Sequence, residues 1–494
     1  MLDPIHKLYR HATDTPHRQA VNVPHRAPLT FAQFYAQIVA QSESFTSVLD
    51  KQQETIARIA LLCHDPLAML TSFYAIQHVG ASAVILDPAW PQARITEVLG
   101  EVPVVAVLTD AERNVFPEVL PVHRAITAPA EESDELTTPT SVDDAAELMV
   151  IFTSGSTSMP KPIARSRSSW ALSLPLGFDV LGASESARSL IPGPLAHGLS
   201  LYAAVEALSA GGSVWLSGGW KLDCIRMWLN SDECNRMVAV PSAYQKLLDT
   251  EGPRLMAAIE TIVSGGEALG ATLISRLASL PNLKQLTEYY GTSEHGFIAY
   301  HHHDVASTAP AVERTGFAGR LFPGVQARVS FPATVDGPGA LLVRSPLTAT
   351  GYLGQSARQW LETDGWIGVG DHGYLDGQSL YLQGRGGDMI QWHGNNIYPT
   401  EVEHELCTIL GTADCRVVDL HAAGQRRLVA FVEAGSLPDV PLDALEQLRQ
   451  RLPKYKIPHL LSAVARWPRT NSGKIQRAAL PDAFDLERTV ALRK

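Results

Sequence analysis

The chain is 494 residues long, with 40 Lys and Arg against 51 Asp and Glu, a net charge of −11, and 45% hydrophobic residues. That length accommodates about three domains, the apolar content excludes a disordered chain, and the acidic balance excludes a protein that works by coating itself with nucleic-acid phosphate. Five scattered cysteines, Cys63, Cys224, Cys234, Cys407 and Cys415, form no C-x-x-C pair, so neither a disulfide framework nor a zinc site is expected, and a reducing, cytoplasmic setting is.

The N-terminal segment MLDPIHKLYRHATDTPHRQA has no basic stretch followed by an apolar core, and no long uncharged apolar run occurs, so neither export nor a membrane anchor is expected. Apolar strand segments then alternate with helical periodicity. The strand RIALLCH (58–64) leads into a helix over 66–80 and a second strand, ASAVILDP (81–88); further strands are read at 104–109, 211–217, 236–242 and 259–266. Repeated β–α–β order predicts an α/β fold with parallel sheets covered by helices. Between these lies 127–147, polar, acidic and read as a surface linker. From about 311 short strands punctuated by Gly and Pro predict a small antiparallel, barrel-like subdomain. After 384 a final compact portion carries its own strand and helix pattern, predicting a small α+β domain. The adjacent His301, His302 and His303 read as solvated residues of a polar loop, or as a metal site; no cysteine is near and Asp304 is contiguous rather than at ligand spacing.

The most informative segment is the apolar strand Leu148 to Phe152 running into Thr153, Ser154, Gly155, Ser156, Thr157, Ser158, Met159, Pro160 and Lys161. Such a turn offers backbone N–H groups and hydroxyls to an anion, with Lys161 adding a point charge suited to phosphate. It lacks the G-x-x-x-x-G-K-[ST] of a P-loop. The alternative is a plain Ser/Thr-rich turn after a buried strand.

The loop T-S-G-S-T-S-M-P-K resembles the signature of the adenylate-forming superfamily, which includes acyl- and aryl-CoA synthetases, adenylation domains of peptide synthetases and luciferases. Further matches follow in that family's order, from Leu29-Thr30-Phe31 to Lys474. The resemblance implies a large N-terminal adenylation core (1–383), a hinge (384–388) and a mobile C-terminal lid (389–494), with ATP and Mg²⁺ bound between them. It assigns the nucleotide to the 153–157 turn and Lys161, to Gly266, Glu267, Tyr290 (stacking on adenine), Gly291 and Ser293, and to Asp371 and Arg385 near the ribose; Glu294 would hold Mg²⁺, Lys474 would be the catalytic lysine and His197 a catalytic or gating residue. The acyl pocket would be lined by His197, Gly198, Ser242, Ser264, Gly265, Tyr289 and Phe297, with Gly394 in the thiol tunnel. The departures are Gly387 where the hinge residue is usually Asp or Lys, Ser158 in place of a glycine, and Ala340 where Gly-Glu is common.

The implied reaction attaches a carboxylic acid to AMP with release of pyrophosphate and then passes the acyl group to a thiol, that of CoA or of the phosphopantetheine arm of a separate carrier protein. Amino-acid-activating members typically carry an aspartate in the segment that here reads Gly193-Pro194-Leu195-Ala196-His197-Gly198-Leu199-Ser200; here none is present and Glu206 is the nearest carboxylate, so a non-amino aryl or fatty acid is expected. The alternatives are a stand-alone amino-acid adenylation enzyme and a non-catalytic nucleotide-binding relative. Arg449, Arg451, Lys454 and Lys456 read either as a solvated helix face or as a surface meeting an acidic carrier or the CoA nucleotide.

Overall fold

A computed structural model describes residues 2–49, 56–111, 116, 121–126, 136–152, 160–305, 316–330, 338–359, 362–385, 388–392, 395–422, 425–435, 440–441, 443–470 and 473–492. Two large sheets dominate. One has seven strands among the described residues, in which Glu147–Phe152, Ser82–Ile85, Arg58–Leu62, Ala106–Thr109 and Val122–Arg124 run parallel, and Pro162–Ser166 and Gly351–Tyr352 add antiparallel strands at one edge. The other has 14 strands among the described residues. Its parallel portion orders Gln19–Asn22, Ser213–Leu216, Arg188–Ile191, Arg236–Ala239, Thr261–Gly265 and Gln285–Thr292. From Gly296–His303 onward the pairing turns antiparallel, through Phe317–Leu321, Ser379–Arg385, Trp366–Asp376, Gly339–Arg344 and Gln326–Ser330. The Gly- and Pro-punctuated strands after 311 are thus antiparallel as read, and they continue the large sheet.

Several helices that connect the parallel strands fill the space between the sheets, while Leu222–Asn230, Pro241–Glu251 and Ala271–Ala278 build a separate apolar cluster. The helix Pro66–His78 shows the physics: Asp65 caps it by accepting the Ala68 N–H at 2.9 Å, Pro66 occupies its first turn, and all thirteen residues are buried. A helix apolar on every side belongs inside a large core. Helices Phe31–Glu43, Arg167–Leu181 and Gly198–Ser209 contribute to the same apolar cluster, which joins both sheets. Each Leu, Ile or Phe so buried stabilises by roughly 1.5–3 kcal/mol, offset by ordering of the chain.

Several charged groups trapped in this core are paired. Glu147, read as the end of the acidic linker, instead opens the strand Glu147–Phe152, because its carboxylate takes Arg58 Nε and Nη2 at 2.7 and 2.8 Å and the Ser82 hydroxyl at 2.6 Å. The N-terminal helix Pro4–Asp14 is anchored by Asp3, which accepts from buried Arg167 at 2.6 Å. His301, His302 and His303 lie in a strand, not in a solvated loop: His303 meets Glu288 at 3.1 Å, His302 meets Thr287 at 2.8 Å, and burial with the neighbouring imidazoles holds His301 near pKa 4. Among the described residues no cluster of three or more metal-ligating side chains exists.

The C-terminal portion builds its own core around the helix Pro399–Leu410 and a four-stranded sheet of Arg416–Ala422, Gln425–Glu433, Leu460–Val464 and Thr489–Ala491. No described helix is long and apolar enough to cross a membrane, and the five cysteines are free.

Candidate active site

The C-terminal ends of the parallel strands open onto a cleft of 3360 Å³, closed on its far side by the C-terminal domain. Parallel sheets place ligands there because the loops at those strand ends converge. Four groups of side chains define it.

The first is the turn carrying Lys474. The Thr470 N–H donates to the Lys474 carbonyl and the Gly473 N–H to the Thr470 carbonyl, Gly473 has a φ of +88° that a side chain would strain, and the Thr470 hydroxyl accepts the Lys474 N–H at 3.1 Å. The turn seats the lysine over Gly266 (φ +90°): a Cβ on Gly266 would stand 3.8 Å from Lys474 Cε. Burial lowers the lysine's pKa, while Glu267 and Asp371 partly restore it. Glu267 shifts the other way; burial raises its pKa against the pull of Arg416 and Lys474. Arg416, absent from the expected site, thus brings a second cation of the C-terminal domain toward Glu267.

The second group is Asp371, Tyr290 and Arg385. Antiparallel register sets Asp371 opposite Arg385, with Nε 3.3 Å from one carboxylate oxygen, and the Tyr290 hydroxyl donates to the other at 2.5 Å. Burial raises the Asp371 pKa, with Tyr290 and Arg385 opposing.

The third group surrounds Glu294, 8% exposed, in the turn after Gln285–Thr292. The Tyr352 hydroxyl donates to Glu294 Oε1 at 2.7 Å, and Lys161 Nζ lies 5.2 Å above the Tyr352 ring. The turn is held from below by buried Arg165, whose Nη1 donates to the Ser293 carbonyl at 2.9 Å; burial pushes the Arg165 pKa down to about 10. Gly291 is required beside it, since a Cβ there would come within 2.3 Å of the Gly296 carbonyl oxygen.

The fourth group is aromatic. Tyr202, Phe297, Tyr289 and Trp170 line the cleft in edge-to-face contacts with centroids 4.9 to 5.3 Å apart. His197 precedes the helix Gly198–Ser209, makes no side-chain cap, and points Nε2 at Asp87 Oδ2 at 3.3 Å. Burial opposes ionisation of Asp87, but His197 and the Ala89 N–H outweigh it and hold its pKa low. Ser242 and Gly198 also line the cleft. Ser264 and Gly265 do not: the Tyr289 ring covers Gly265, where a Cβ would meet Cε1 at 2.8 Å, and Ser264 is fully buried. Glu206 is likewise closed off, fully buried with Arg236 at 2.6 Å, so it offers no carboxylate to a ligand.

One cleft therefore brings together Lys161, His197, Gly198, Ser242, Gly266, Glu267, Tyr289, Tyr290, Gly291, Ser293, Glu294, Phe297, Asp371, Arg385 and Lys474. Thr153, Ser154, Gly155, Ser156 and Thr157 of the turn, Gly387 of the hinge and Gly394 of the tunnel lie outside the described residues. Sequence reading missed Asp87, Arg165, Tyr352 and Arg416. Arg165 did leave a signal, a charge inside the otherwise apolar strand after Lys161.

The AMP-binding enzyme family matches residues 8–353. Over 478 residues the chain is 27% identical to VraA of Staphylococcus epidermidis, named for long chain fatty acid-CoA ligation, with 97% of each chain covered. The fold superimposes on ATP-bound MatB of Rhodopseudomonas palustris with a TM-score of 0.82 at 20% identity, covering 97% of this chain and 99% of that one. It also superimposes on O-succinylbenzoate Coenzyme A Synthetase (MenE) of Bacillus subtilis in complex with ATP and magnesium, with a TM-score of 0.78 at 23% identity, covering 96% and 99%. With the match spanning most of the chain and the sheets and cleft in that family's arrangement, this protein belongs to the AMP-binding enzyme family, the adenylate-forming superfamily.

Proposed function

We propose that the protein is an AMP-forming acid–thiol ligase, which activates a non-amino carboxylic acid, aryl or acyl, with ATP and passes it to the thiol of CoA or of a carrier-protein phosphopantetheine. The observation that carries this reading is Lys474 of the C-terminal domain docked over Gly266, in the same cleft as Lys161, Glu294 and Asp371. A buried cation brought into a pocket of phosphate- and sugar-binding groups suits the charge that builds when a carboxylate oxygen displaces pyrophosphate from phosphorus.

In this reading Asp371 accepts from the ribose hydroxyls while Arg385 and Tyr290 fix its orientation, and Tyr290 and Gly291 face the adenine. The Glu294 carboxylate fits Mg²⁺: it is a hard oxygen donor, buried, with Oε1 oriented by Tyr352, and a cation bound mainly through substrate phosphates needs one protein carboxylate rather than a cage. When bound, the ion neutralises phosphate charge. Lys161 and Lys474 add fixed positive charge on two sides of the phosphate. For the second step, Asp87 orients His197 beside the acyl pocket, and withdrawal of the C-terminal domain about the 384–388 segment removes Lys474 and admits the thiol.

The acyl pocket supports a non-amino acid: Gly198 stands at the head of its helix and Glu206 is neutralised by Arg236, so an α-ammonium there would lack a free counter-charge from either. CoA as acceptor draws support from the relative named for CoA ligation. Of the basic residues considered for a carrier, Arg451 is paired with Glu405 at 3.0 Å and Lys456 with Glu401 at 2.5 Å.

The reading is tested by incubating the protein with ATP, Mg²⁺ and a panel of aryl, fatty and amino acids, following pyrophosphate and AMP with and without CoA. Acid-dependent pyrophosphate release, followed by CoA-dependent AMP and thioester, is expected. Release with amino acids alone would establish the adenylation-domain reading instead.

A further inference from the structure

Two loops of the C-terminal domain rest on two loops of the N-terminal core. A Cβ on Gly270 would stand 3.2 Å from the Ala413 carbonyl oxygen, and one on Gly473 would stand 3.1 Å from Ser242 Oγ, so glycine is what permits each approach. The contact is shallow, since Gly266, Ala268 and Ala413 stay exposed. With glycine and alanine at the seam little apolar surface is covered, and the charges that face it carry much of the orientation.

On the C-terminal side the seam is cationic. Arg416 opens the strand Arg416–Ala422, donates Nη1 to the Cys415 carbonyl at 2.8 Å and sets Nη2 3.3 Å from Asp414. Glu403, also in its field, is spent on both Nη groups of Arg477 and on the Val417 N–H. Asp414 therefore stands against three cations, Arg416, Arg469 and Lys474, of which Arg469 is bonded only to the Gly473 carbonyl at 2.7 Å. The N-terminal core answers with Glu267, next to the Gly266 that Lys474 covers and in the field of Arg416, Lys474 and Arg469. Among the described residues Glu267 makes no hydrogen bond and no ion pair within 4 Å. A carboxylate repels a triphosphate, whereas the cations across the seam attract it.

We infer that Glu267 and Arg416 form an electrostatic latch between the domains: their attraction, supported by Arg469, holds the C-terminal domain where Lys474 enters the cleft. Both are positioning residues for activation of the acid, and the latch opens when the domain withdraws for the second half-reaction. Attraction beyond 4 Å has no fixed hydrogen bond to break, so it favours the docked state by a modest margin and leaves the domain free to move. The inference rests on the acid-activating reading above and assigns residues to its domain movement.

The test follows the two half-reactions and hydrogen exchange in the native protein, Arg416→Gln, Arg416→Lys, Glu267→Gln and Arg416→Gln combined with Glu267→Gln, each checked for folding by circular dichroism. Single-turnover formation of acyl-adenylate should fall about tenfold in Arg416→Gln, while thioester formation from a supplied acyl-adenylate is undiminished. Arg416→Lys keeps the charge and should retain most of the first rate. Adding Glu267→Gln to Arg416→Gln should lower the rate by less than Glu267→Gln does alone. Exchange at 266–270 and 411–416, measured without any acid, should be faster in Arg416→Gln than in the native protein. Equal loss in both half-reactions, additive losses in the combined variant, Arg416→Lys as impaired as Arg416→Gln, or unchanged exchange would each overturn the latch. If the native protein releases no pyrophosphate with any acid, the ligase reading fails, while the exchange comparison still decides whether the two residues hold the domain.

Discussion

Lys474 and Gly266 belong to different domains, yet a Cβ on the glycine would stand 3.8 Å from the lysine Cε. That is ordinary contact distance, so the lysine packs directly on the glycine, whose φ of +90° favours a residue without a side chain. Lys474→Ala should therefore lower acid-dependent pyrophosphate release on the order of 100- to 1000-fold. Thioester formation from a supplied acyl-adenylate should be largely spared. Single-turnover assays of the two half-reactions measure this, and equal loss in both would contradict a role confined to the first.

Tyr352 touches Glu294 through a single hydroxyl. Tyr352→Phe keeps the ring beneath Lys161 and removes that hydrogen bond. If Glu294 holds Mg²⁺, loss of its orienting partner should weaken the metal roughly 10- to 100-fold. The check is a titration of pyrophosphate release with Mg²⁺ at saturating ATP; an unchanged midpoint would remove Glu294 from that role.

The Tyr289 ring lies over Gly265, where a Cβ would meet its Cε1 at 2.8 Å, and so covers that strand from the cleft. Tyr289→Ala should join the space of that ring to the acyl pocket and shift preference toward bulkier acids, with the ratio of kcat/KM for bulky over small acids rising about tenfold or more. An unaltered ratio, in a variant that still folds by circular dichroism, would place the acyl group elsewhere.

Asp3 and Arg167 tie the N-terminal helix to the core. Removing the carboxylate in Asp3→Ala leaves a buried guanidinium uncompensated and should cost about 3–5 kcal/mol in urea unfolding at neutral pH. Burial alone would raise the Asp3 pKa, but His6 and Arg167 together hold it below the ordinary carboxylate value. A depressed pKa contributes stability above the ordinary range and loses it as the pH falls through the folded-state value. The gap between native and variant should therefore be full near pH 7 and close only in strong acid; a gap independent of pH would deny the ion pair.

The motifs around Lys161, Glu294, Asp371 and Lys474 were legible in the sequence because each is a short run of residues whose chemistry and local backbone are set by near neighbours. Strand and helix positions such as Arg58–Leu62 and Pro66–His78 were legible for the same reason, since apolar periodicity is local. Asp87 and Tyr352 were not, because they enter the cleft from segments 110 and 58 residues away from the partners His197 and Glu294. Glu147 was misread because an acidic residue beside an acidic linker looks solvated until Arg58 and Ser82 are placed against it.

The sequence by itself determined the alternation of strands and helices along the chain, the family resemblance and the set of groups available for nucleotide chemistry. Tertiary structure alone decided which of them share a cavity, that the Tyr289 ring covers Gly265, that Glu206 spends its charge on Arg236, and that Arg165 holds the Ser293 turn. The physical reason is range. Backbone preference and burial pattern act over a few residues, whereas the pairing of a buried charge depends on which distant side chain the packed sheets deliver to it.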